Sequence, residues 1–361
     1  MPEKTEPRAP AAAAAGRIEA FDAYRGMAIV LVVFAHTAGL GWEYYGVEGG
    51  EVNFAWSVAA RNLALCSLPM FLFVSGYLLG KVRCASLPEY GDYLRKRVSR
   101  IAVPYLFWSL ALLSLASIRA GYLDAGHWLF AIITGTADGP YYFILMMLQF
   151  YILAPLLSRM LDHRWAMPGF FIVHALWIAG IYAIELAWDL EMHFAITKTP
   201  FLSWLSVFTF GMWVRRNPDA LTGSNPVPFA AAAVVLYGAA IAETYLLLGF
   251  DRFELAILDV RFTTLAFAFA VIMLSLQLLR WNWPDFWVTL GAYSFGIFFI
   301  HGTALRAFAK IYAMAGGETL VEMQPVYQTL VALSTLSVCV IAIAAARRIL
   351  PETVWSRVLG F

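Results

Sequence analysis

The chain has 361 residues, of which 61% are hydrophobic and only 14% are charged, and its formal net charge is +1. Soluble globular domains are about half apolar and about a quarter charged, so this composition indicates a membrane protein with several spans. A net charge so close to zero gives no reason to expect a nucleic-acid partner. The three cysteines show no spacing typical of a metal site, and we expect no metal.

The first residues differ in composition from the rest. Residues 1–17 are polar and rich in proline and alanine, which predicts a disordered cytoplasmic tail. This segment does not have the order of a signal peptide, because its small residues precede the apolar segment instead of following it. Residues 18–361 leave no stretch long enough for a soluble domain, and we predict a single transmembrane domain there.

Apolar stretches recur along the whole chain. A helix needs about 20 apolar residues to cross a bilayer. This length predicts an all-α polytopic membrane protein of about ten transmembrane helices, near residues 20–40, 58–80, 101–120, 141–160, 167–188, 201–214, 228–250, 260–279, 287–309 and 326–346.

The charges of the loops predict the orientation. Basic residues collect in alternate loops, and the densest group follows the second span at Arg95, Lys96, Arg97 and Arg100. The intervening loops are acidic or mixed. Because cytoplasmic loops carry an excess of lysine and arginine, both termini are expected in the cytoplasm.

The first predicted span contains ionisable residues, in the segment FDAYRGMAIVLVVFAH. Arg25 and His36 are eleven residues apart, close to a whole number of helical turns, so they share one helix face about 16 Å apart along the axis. Asp22 lies three residues before Arg25 and is placed to pair with it. A charged residue at the bilayer centre costs about 2.5–3.5 kcal/mol on insertion scales, which makes these residues functional candidates.

A purely structural role is the alternative for the same residues. An Asp22–Arg25 pair would anchor the helix at the membrane interface, and His36 would form a hydrogen bond inside the bundle. The aliphatic surroundings of His36 favour a functional role, because a titratable imidazole is an unusual choice for packing alone.

Other polar residues lie at membrane depth. Arg61 opens the second span, Ser75 lies near its inner end beside Gly76, Glu243 lies in the seventh span and His301 in the ninth. Each has a structural alternative. Ser75 is typical of a small residue at a helix contact. Arg61 and Glu243 have the charges to pair with each other or with other helices, and His301 fits a hydrogen-bonded core histidine.

The order of several motifs resembles the acyltransferase-3 family of membrane enzymes. That family carries an arginine, ten residues and then a histidine in its opening helix, a spacing that Arg25 and His36 meet. Further similar segments are FLFVSGYLLG, RVSRIAVPYLFW, YYFILMMLQFYILAPLL and YSFGIFFIH. Two positions depart from the pattern: Tyr142 stands where a tryptophan is usual, and FDAYRG replaces LDGLRG.

The resemblance implies a membrane O-acyltransferase. Such an enzyme moves an acyl group from cytoplasmic acyl-CoA to a hydroxyl of an exported glycan or a related acceptor. Acetyl is the expected acyl group and succinyl the alternative; acyl-CoA is a substrate, and no bound cofactor is expected. Partners would be acyl-CoA, the hydroxyl acceptor and the lipid bilayer, in the cytoplasmic (inner) membrane of a bacterium.

The resemblance also assigns roles to the residues. Arg25, with the basic cluster at Arg95, Lys96, Arg97 and Arg100, would bind the CoA phosphates, for which the forked guanidinium donors are suited. Of this cluster, Arg97 and Arg100 are the predicted site residues. Asp22 would orient Arg25. His36 would act as a general base or as a transient carrier of the acyl group.

Substrate contacts are predicted at Arg61, Ser75 and His301, with Arg61 and His301 facing the acceptor or the oxyanion. A transporter or flippase that uses the same buried charges as a substrate or proton path is the alternative function, and a channel is a third.

Overall fold

A computed structural model describes residues 9–44, 50–188, 190, 192–218, 223–278 and 282–361, and these form helices and loops without a strand. The α-helices are α1 Ala9–Ala38, α2 Glu51–Ala64, α3 Ser67–Leu79, α4 Leu87–Ala120, α5 Ala125–Thr134, α6 Tyr142–Met160, α7 Ala166–Ala187, α8 Phe194–Thr197, α9 Leu205–Arg216, α10 Val227–Gly249, α11 Phe253–Ala256, α12 Phe262–Gln277, α13 Asp285–Val321 and α14 Gln324–Ile349.

Eight helical segments of the described chain are long and apolar enough to cross a membrane. The segments are Glu19–Trp42, Glu51–Leu79, Leu87–Ala120, Gly139–Met160, Ala166–Ala187, Val227–Gly249, Asp285–Val321 and Gln324–Ile349. They coincide with eight of the ten predicted spans. The prediction of an all-helical integral membrane protein is therefore confirmed.

The sixth and eighth predicted spans correspond to shorter helices, α9 and α12, of 12 and 16 residues. At 1.5 Å per residue they extend about 18 and 24 Å, which is less than the roughly 30 Å of the hydrocarbon core. Most side chains of α9 are buried, so this helix lies inside the bundle, where it needs no full-length contact with lipid. The predicted count of ten is thus supported for eight spans.

Two further segments differ from the predicted elements. Residues 9–17 of the predicted tail form the first turns of α1, and residues 1–8 lie outside the described part of the chain. The short apolar helix α5 follows α4 and had no counterpart among the predicted spans.

The start of α4 is set by a capping box. The Ser86 hydroxyl accepts a hydrogen bond from the Glu89 backbone N–H at 3.4 Å, and the Glu89 carboxylate accepts one from the Ala85 N–H at 2.8 Å. These bonds satisfy donors that a helix start leaves free. Gly121, at φ 77°, ends the helix in the left-handed conformation that glycine adopts without strain. The helix between these two ends has 34 residues and contains the basic segment at Arg95, Lys96, Arg97 and Arg100.

The helices α1 and α13 are in backbone contact through two glycines. A Cβ atom at Gly26 would lie 2.1 Å from the carbonyl oxygen of Trp287, and one at Gly291 would lie 1.8 Å from that of Asp22. Neither position has room for a side chain. Small residues allow this close approach in membranes, and it holds the polar face of α1 against α13.

A second glycine pair joins α3 to α9. A Cβ atom at Gly76 would lie 2.0 Å from the Phe208 carbonyl oxygen, and one at Gly211 would lie 2.1 Å from that of Phe73. The small-residue packing expected near Ser75 therefore belongs to its neighbour Gly76, which leaves Ser75 on another face of α3.

Loops predicted to be cytoplasmic meet at one end of the bundle. Arg83, after α3, and Arg216, at the end of α9, donate hydrogen bonds to the carboxylate of Asp162, which follows α6. The hydrogen bonds from Arg83 lower the pKa of Asp162. These contacts bring the ends of α3, α6 and α9 together at one end of the bundle.

Candidate functional site

A cavity of about 520 Å³ lies between α1, α3, α4, α6 and α13. Its wall is largely apolar, but charged side chains stand at intervals along it. Five cationic side chains and one anionic side chain of the described residues line it: Arg25, Arg61, Arg97, Arg100, Lys198 and Asp259. His36 also lines it. The cavity is therefore strongly basic.

Arg25 is held at one end of the cavity by two partners. Its guanidinium donates to the carboxylate of Asp22 at 3.2 Å and to the hydroxyl of Ser294 on α13 at 2.9 Å. The Ser294 hydroxyl donates in turn to the carbonyl oxygen of Gly291 at 2.8 Å. The close approach of α1 and α13 at the glycine pair makes this contact possible, so the adjacent Arg25 and Gly26 combine a cavity-lining cation with a packing site.

Two further arginines line the same end of the cavity. Arg97 and Arg100 are three residues apart on α4 and so share one face of that helix. Tyr151 of α6 also lines the cavity and lies within electrostatic reach of both and of Arg25. Arg95, by contrast, is 79% exposed and donates to Asp92 on the outside of α4. Within the basic segment, the structure thus separates the cavity-lining arginines from an outward one.

His36 lies on the same face of α1 as Arg25, further along the helix, and it lines the other end of the cavity. Its side chain is accessible, and that accessible surface lines the cavity. The residues that the structure describes form no hydrogen bond with its imidazole ring. Both ring nitrogens are therefore available to a molecule in the cavity, which is what a general base or a nucleophile requires.

His301 of α13 packs against His36, with ring centroids 5.2 Å apart and planes tilted by 45°. His301 is fully buried. Its Nδ1 lies 2.8 Å from the Phe298 carbonyl oxygen and 3.1 Å from that of Ile297. Because a carbonyl only accepts, Nδ1 carries the hydrogen, and the neutral ring has its lone pair on Nε2. That Nε2 is buried, and it has no hydrogen-bond partner among the residues that the structure describes.

An ionic cluster of Arg61, Lys198, Asp259 and Tyr142 lies beside His36. Arg61 contacts one carboxylate oxygen of Asp259 at 3.1 Å, and Lys198 contacts the other at 3.2 Å. The Tyr142 hydroxyl donates to Asp259 at 3.4 Å, and Arg61 also donates to the Ile257 carbonyl oxygen at 2.8 Å. Two cations share one carboxylate, so the cluster keeps one positive charge in excess.

The predicted site residues thus come together, directly or through a neighbour. Six of them line the cavity: Arg25, His36, Arg61, Ser75, Arg97 and Arg100. Asp22 reaches the site through Arg25. His301 has no exposed surface, so it reaches the site through its contact with His36.

Of the structural alternatives for Glu243 and Arg61, pairing with each other does not occur, and each contacts a charged residue elsewhere in the bundle. Glu243 contacts Arg261 at 3.7 Å and accepts hydrogen bonds from Tyr182 and Thr263. Arg261 extends this network, away from the cavity lining, to Asn62 and Thr244. A charge-balanced network of this kind joins α2, α7, α10 and α12 and leaves the charge of the cavity unchanged.

Sequence reasoning missed three site residues: Lys198, Asp259 and Ser294. Lys198 and Asp259 lie in loops next to predicted spans, where charged residues are ordinary. The one available signal at Asp259 is its position in the segment LDVR, a carboxylate between apolar residues at the start of a predicted span. Ser294 lies in the motif YSFGIFFIH, but only the folded structure shows that its hydroxyl contacts Arg25.

The model of the acyltransferase-3 family, described as an acyltransferase domain, matches residues 18–344. No curated protein and no solved structure shows significant similarity. The match extends from the first turns of α1 into α14 and includes every predicted site residue. The chain therefore belongs to the acyltransferase-3 family.

Proposed function

We propose that the protein is a membrane O-acyltransferase that moves an acyl group from acyl-CoA to a hydroxyl of an exported glycan or a related acceptor. One observation carries this proposal: Arg25, Arg97 and Arg100 line the same cavity as an imidazole, His36, that has no hydrogen bond within the described structure. The family membership supports the acyl-transfer chemistry. The acyl group is acetyl or succinyl, and the setting is a bacterial inner membrane.

The arrangement separates binding from chemistry. The three arginines match the phosphates of CoA, since guanidinium groups form charge-assisted hydrogen bonds with phosphate oxygens. The pantetheine arm then follows α1 over the roughly 16 Å to His36. Ser75 and the apolar wall contact the arm, and the thioester reaches the end of the cavity where both nitrogens of His36 are free.

At that end, His36 has two routes to the ester. As a general base, it accepts the proton of the acceptor hydroxyl while the oxygen attacks the thioester carbonyl carbon. The C–S bond then breaks, and the proton passes from His36 to the CoA thiolate, giving an ester and free CoA thiol. As a nucleophile, it first takes the acyl group with release of CoA thiol and then transfers it to the hydroxyl.

His301 has a positioning role in this proposal. Its Nε2 is a hydrogen-bond acceptor that has no partner among the described residues, and its ring packs against that of His36. A turn of the His36 ring that brings one N–H onto this acceptor would direct the opposite nitrogen, with its lone pair, towards the substrate. A third group that fixes the tautomer of the base is a recurring feature of activated nucleophile systems.

We expect the arginines of α4 to act on donor affinity. Replacement of Arg97 or Arg100 by glutamine should raise the KM for acyl-CoA about tenfold each and leave kcat within about twofold, because a lost charge-assisted hydrogen bond is worth about 1.5–3 kcal/mol. Steady-state kinetics of purified protein would measure this. Arg95→Gln, on the exposed side of the same helix, should keep the wild-type KM, and an equal effect of all three changes would contradict the assignment.

We expect His301→Leu to lower kcat about tenfold with the KM for acyl-CoA unchanged, because His36 loses the acceptor that orients it. His301→Gln offers an oxygen in place of Nε2 and should recover most of that loss. The pH dependence of kcat distinguishes orientation from packing: it should shift in the leucine variant and return in the glutamine variant. If both variants lose activity equally with an unchanged pH profile, His301 has a packing role only.

The proposal as a whole is tested by thioester chemistry. Purified protein incubated with acetyl-CoA and a hydroxyl acceptor should release free CoA thiol in equal amount to the ester formed. A transporter or flippase would move substrate across a sealed vesicle and leave the thioester intact.

A further inference from the structure

We infer that the end of the cavity beside His36 is a carboxylate-binding site, formed by Arg61 and Lys198 around Asp259. This inference rests on the proposed acyltransferase function and names the substrate class of the same site: one of the two substrates carries a carboxylate next to the reacting group. The carboxylate belongs either to the acyl chain, as in a dicarboxylic acyl-CoA, or to the acceptor, as in a uronic acid.

The first support is the charge balance. Arg61 and Lys198 each contact Asp259, at 3.1 and 3.2 Å, and their side chains are only 15% and 17% exposed. Asp259 is the only acidic side chain among the described residues of the cavity lining. One positive charge therefore remains unmatched among largely buried side chains, where an unpaired charge is expensive. A singly charged anion from the cavity would restore the balance.

The second support is the isolation of this excess charge from other acids. Glu243 is already paired with Arg261 and hydrogen-bonded to Tyr182. Asp138 forms a salt bridge with Arg306 at 2.7 Å. Glu243 and Asp138 thus have their own partners, and neither supplies the missing negative charge.

The third support is position. The charged residues of the cluster, Arg61, Lys198 and Asp259, line the cavity, and all three are electrostatic neighbours of His36. The phosphates of CoA have Arg25, Arg97 and Arg100 at the other end, about 16 Å along α1. The cations beside His36 are therefore left for a charge on the group that reacts there.

Two matched pairs of ligands test the inference by isothermal titration of the purified full-length protein. The first pair is succinyl-CoA and its uncharged four-carbon counterpart, butyryl-CoA; the second is glucuronate and glucose. We expect the charged member of one pair to bind at least about tenfold more tightly than its neutral partner, because two close cations contact its carboxylate. A preference in the first pair assigns the carboxylate to the acyl chain, and one in the second assigns it to the acceptor.

A charge series locates the effect. Lys198→Gln leaves Arg61 paired with Asp259 and removes the excess charge, so the preference for the charged ligand should fall about tenfold. Lys198→Arg should retain it, and so should Lys310→Gln, an exposed control on α13. Equal affinities within both pairs in the wild type, or a preference that survives Lys198→Gln, would overturn the inference.

The outcomes also separate this inference from the proposed function. Loss of binding of both acyl-CoA ligands would reject the enzyme proposal, whatever the sugars show. Tight and equal binding of both acyl-CoA ligands, with equal binding of both sugars, would reject only the carboxylate site.

Discussion

Replacement of His36 by alanine is expected to reduce acyl transfer by about 10²- to 10⁴-fold, the range that a positioned general base contributes. If His36 carries the acyl group, the loss is larger still, since the covalent route disappears. The change should leave folding nearly intact, because the described residues make no hydrogen bond to the ring and its surface faces the cavity. Rate measurement with purified protein, beside a thermal unfolding curve, tests both statements.

The matched control for this variant is His127→Ala. His127 is an exposed histidine on α5, away from the cavity lining. It should retain wild-type activity and stability. A His36→Ala protein that unfolds at the wild-type temperature and still transfers acyl groups at more than a tenth of the normal rate would contradict the assigned role.

Replacement of Gly291 by leucine is expected to have the largest effect on stability. A Cβ atom there would lie 1.8 Å from the Asp22 carbonyl oxygen, and backbone does not yield as a side chain does. Either α13 moves away from α1 or the protein does not assemble. We expect destabilisation of about 3 kcal/mol or more, at the upper end for overpacked sites, and a loss of activity through the separation of Arg25 from Ser294.

The comparison variant is Gly238→Leu on α10, where a Cβ atom meets nothing within 4 Å. It should unfold within a few degrees of the wild type. Thermal unfolding and the yield of monodisperse protein in detergent measure both variants. Equal stability of the two leucine variants would show that α1 and α13 do not meet through Gly291.

The part of the site that lies on one helix could be predicted from sequence. Arg25 and His36 share a face of α1 because of helical periodicity alone, and Asp22 reaches Arg25 because it is one turn away. Helical periodicity therefore predicted how Arg25 and His36 are arranged along the length of the cavity. The alternative of a hydrogen-bonded core histidine fits His301 Nδ1 but not His36.

Residues brought together by packing could not be predicted. Lys198 and Asp259 come from separate loops, 61 positions apart in number, and meet Arg61 only in the folded bundle. Likewise, the sequence did not divide the basic segment of α4 into the exposed Arg95 and the cavity-lining Arg97. Loop charge predicts which side of the membrane a segment faces, whereas the contacts of a helix decide which way each side chain points.

The fold, like the site, could be predicted where it depends on local sequence but not where it depends on packing between helices. Span positions depend on local hydrophobicity, and eight of ten predicted spans coincide with helices of sufficient length. The helices α9 and α12 are shorter than a bilayer is thick. The predicted sixth span, 201–214, is itself short of the roughly 20 residues that a crossing needs, whereas the predicted eighth, 260–279, has the full length. The packing of α9 explains its short length. Gly76 and Gly211 allow α3 to pack closely against α9, and most side chains of α9 are buried inside the bundle.

The central claim is that an acyl donor enters at Arg25, Arg97 and Arg100 and reacts at His36, at the other end of the same cavity. Sealed vesicles with oriented protein test it most directly. Acyl-CoA labelled in the acyl group is supplied on the side of Arg97 and Arg100, and a hydroxyl acceptor on the other side. We predict labelled ester on the acceptor side and an equal amount of free CoA thiol on the donor side. An unlabelled acceptor with an intact thioester pool, or ester formed only when both substrates share one side, would contradict the account.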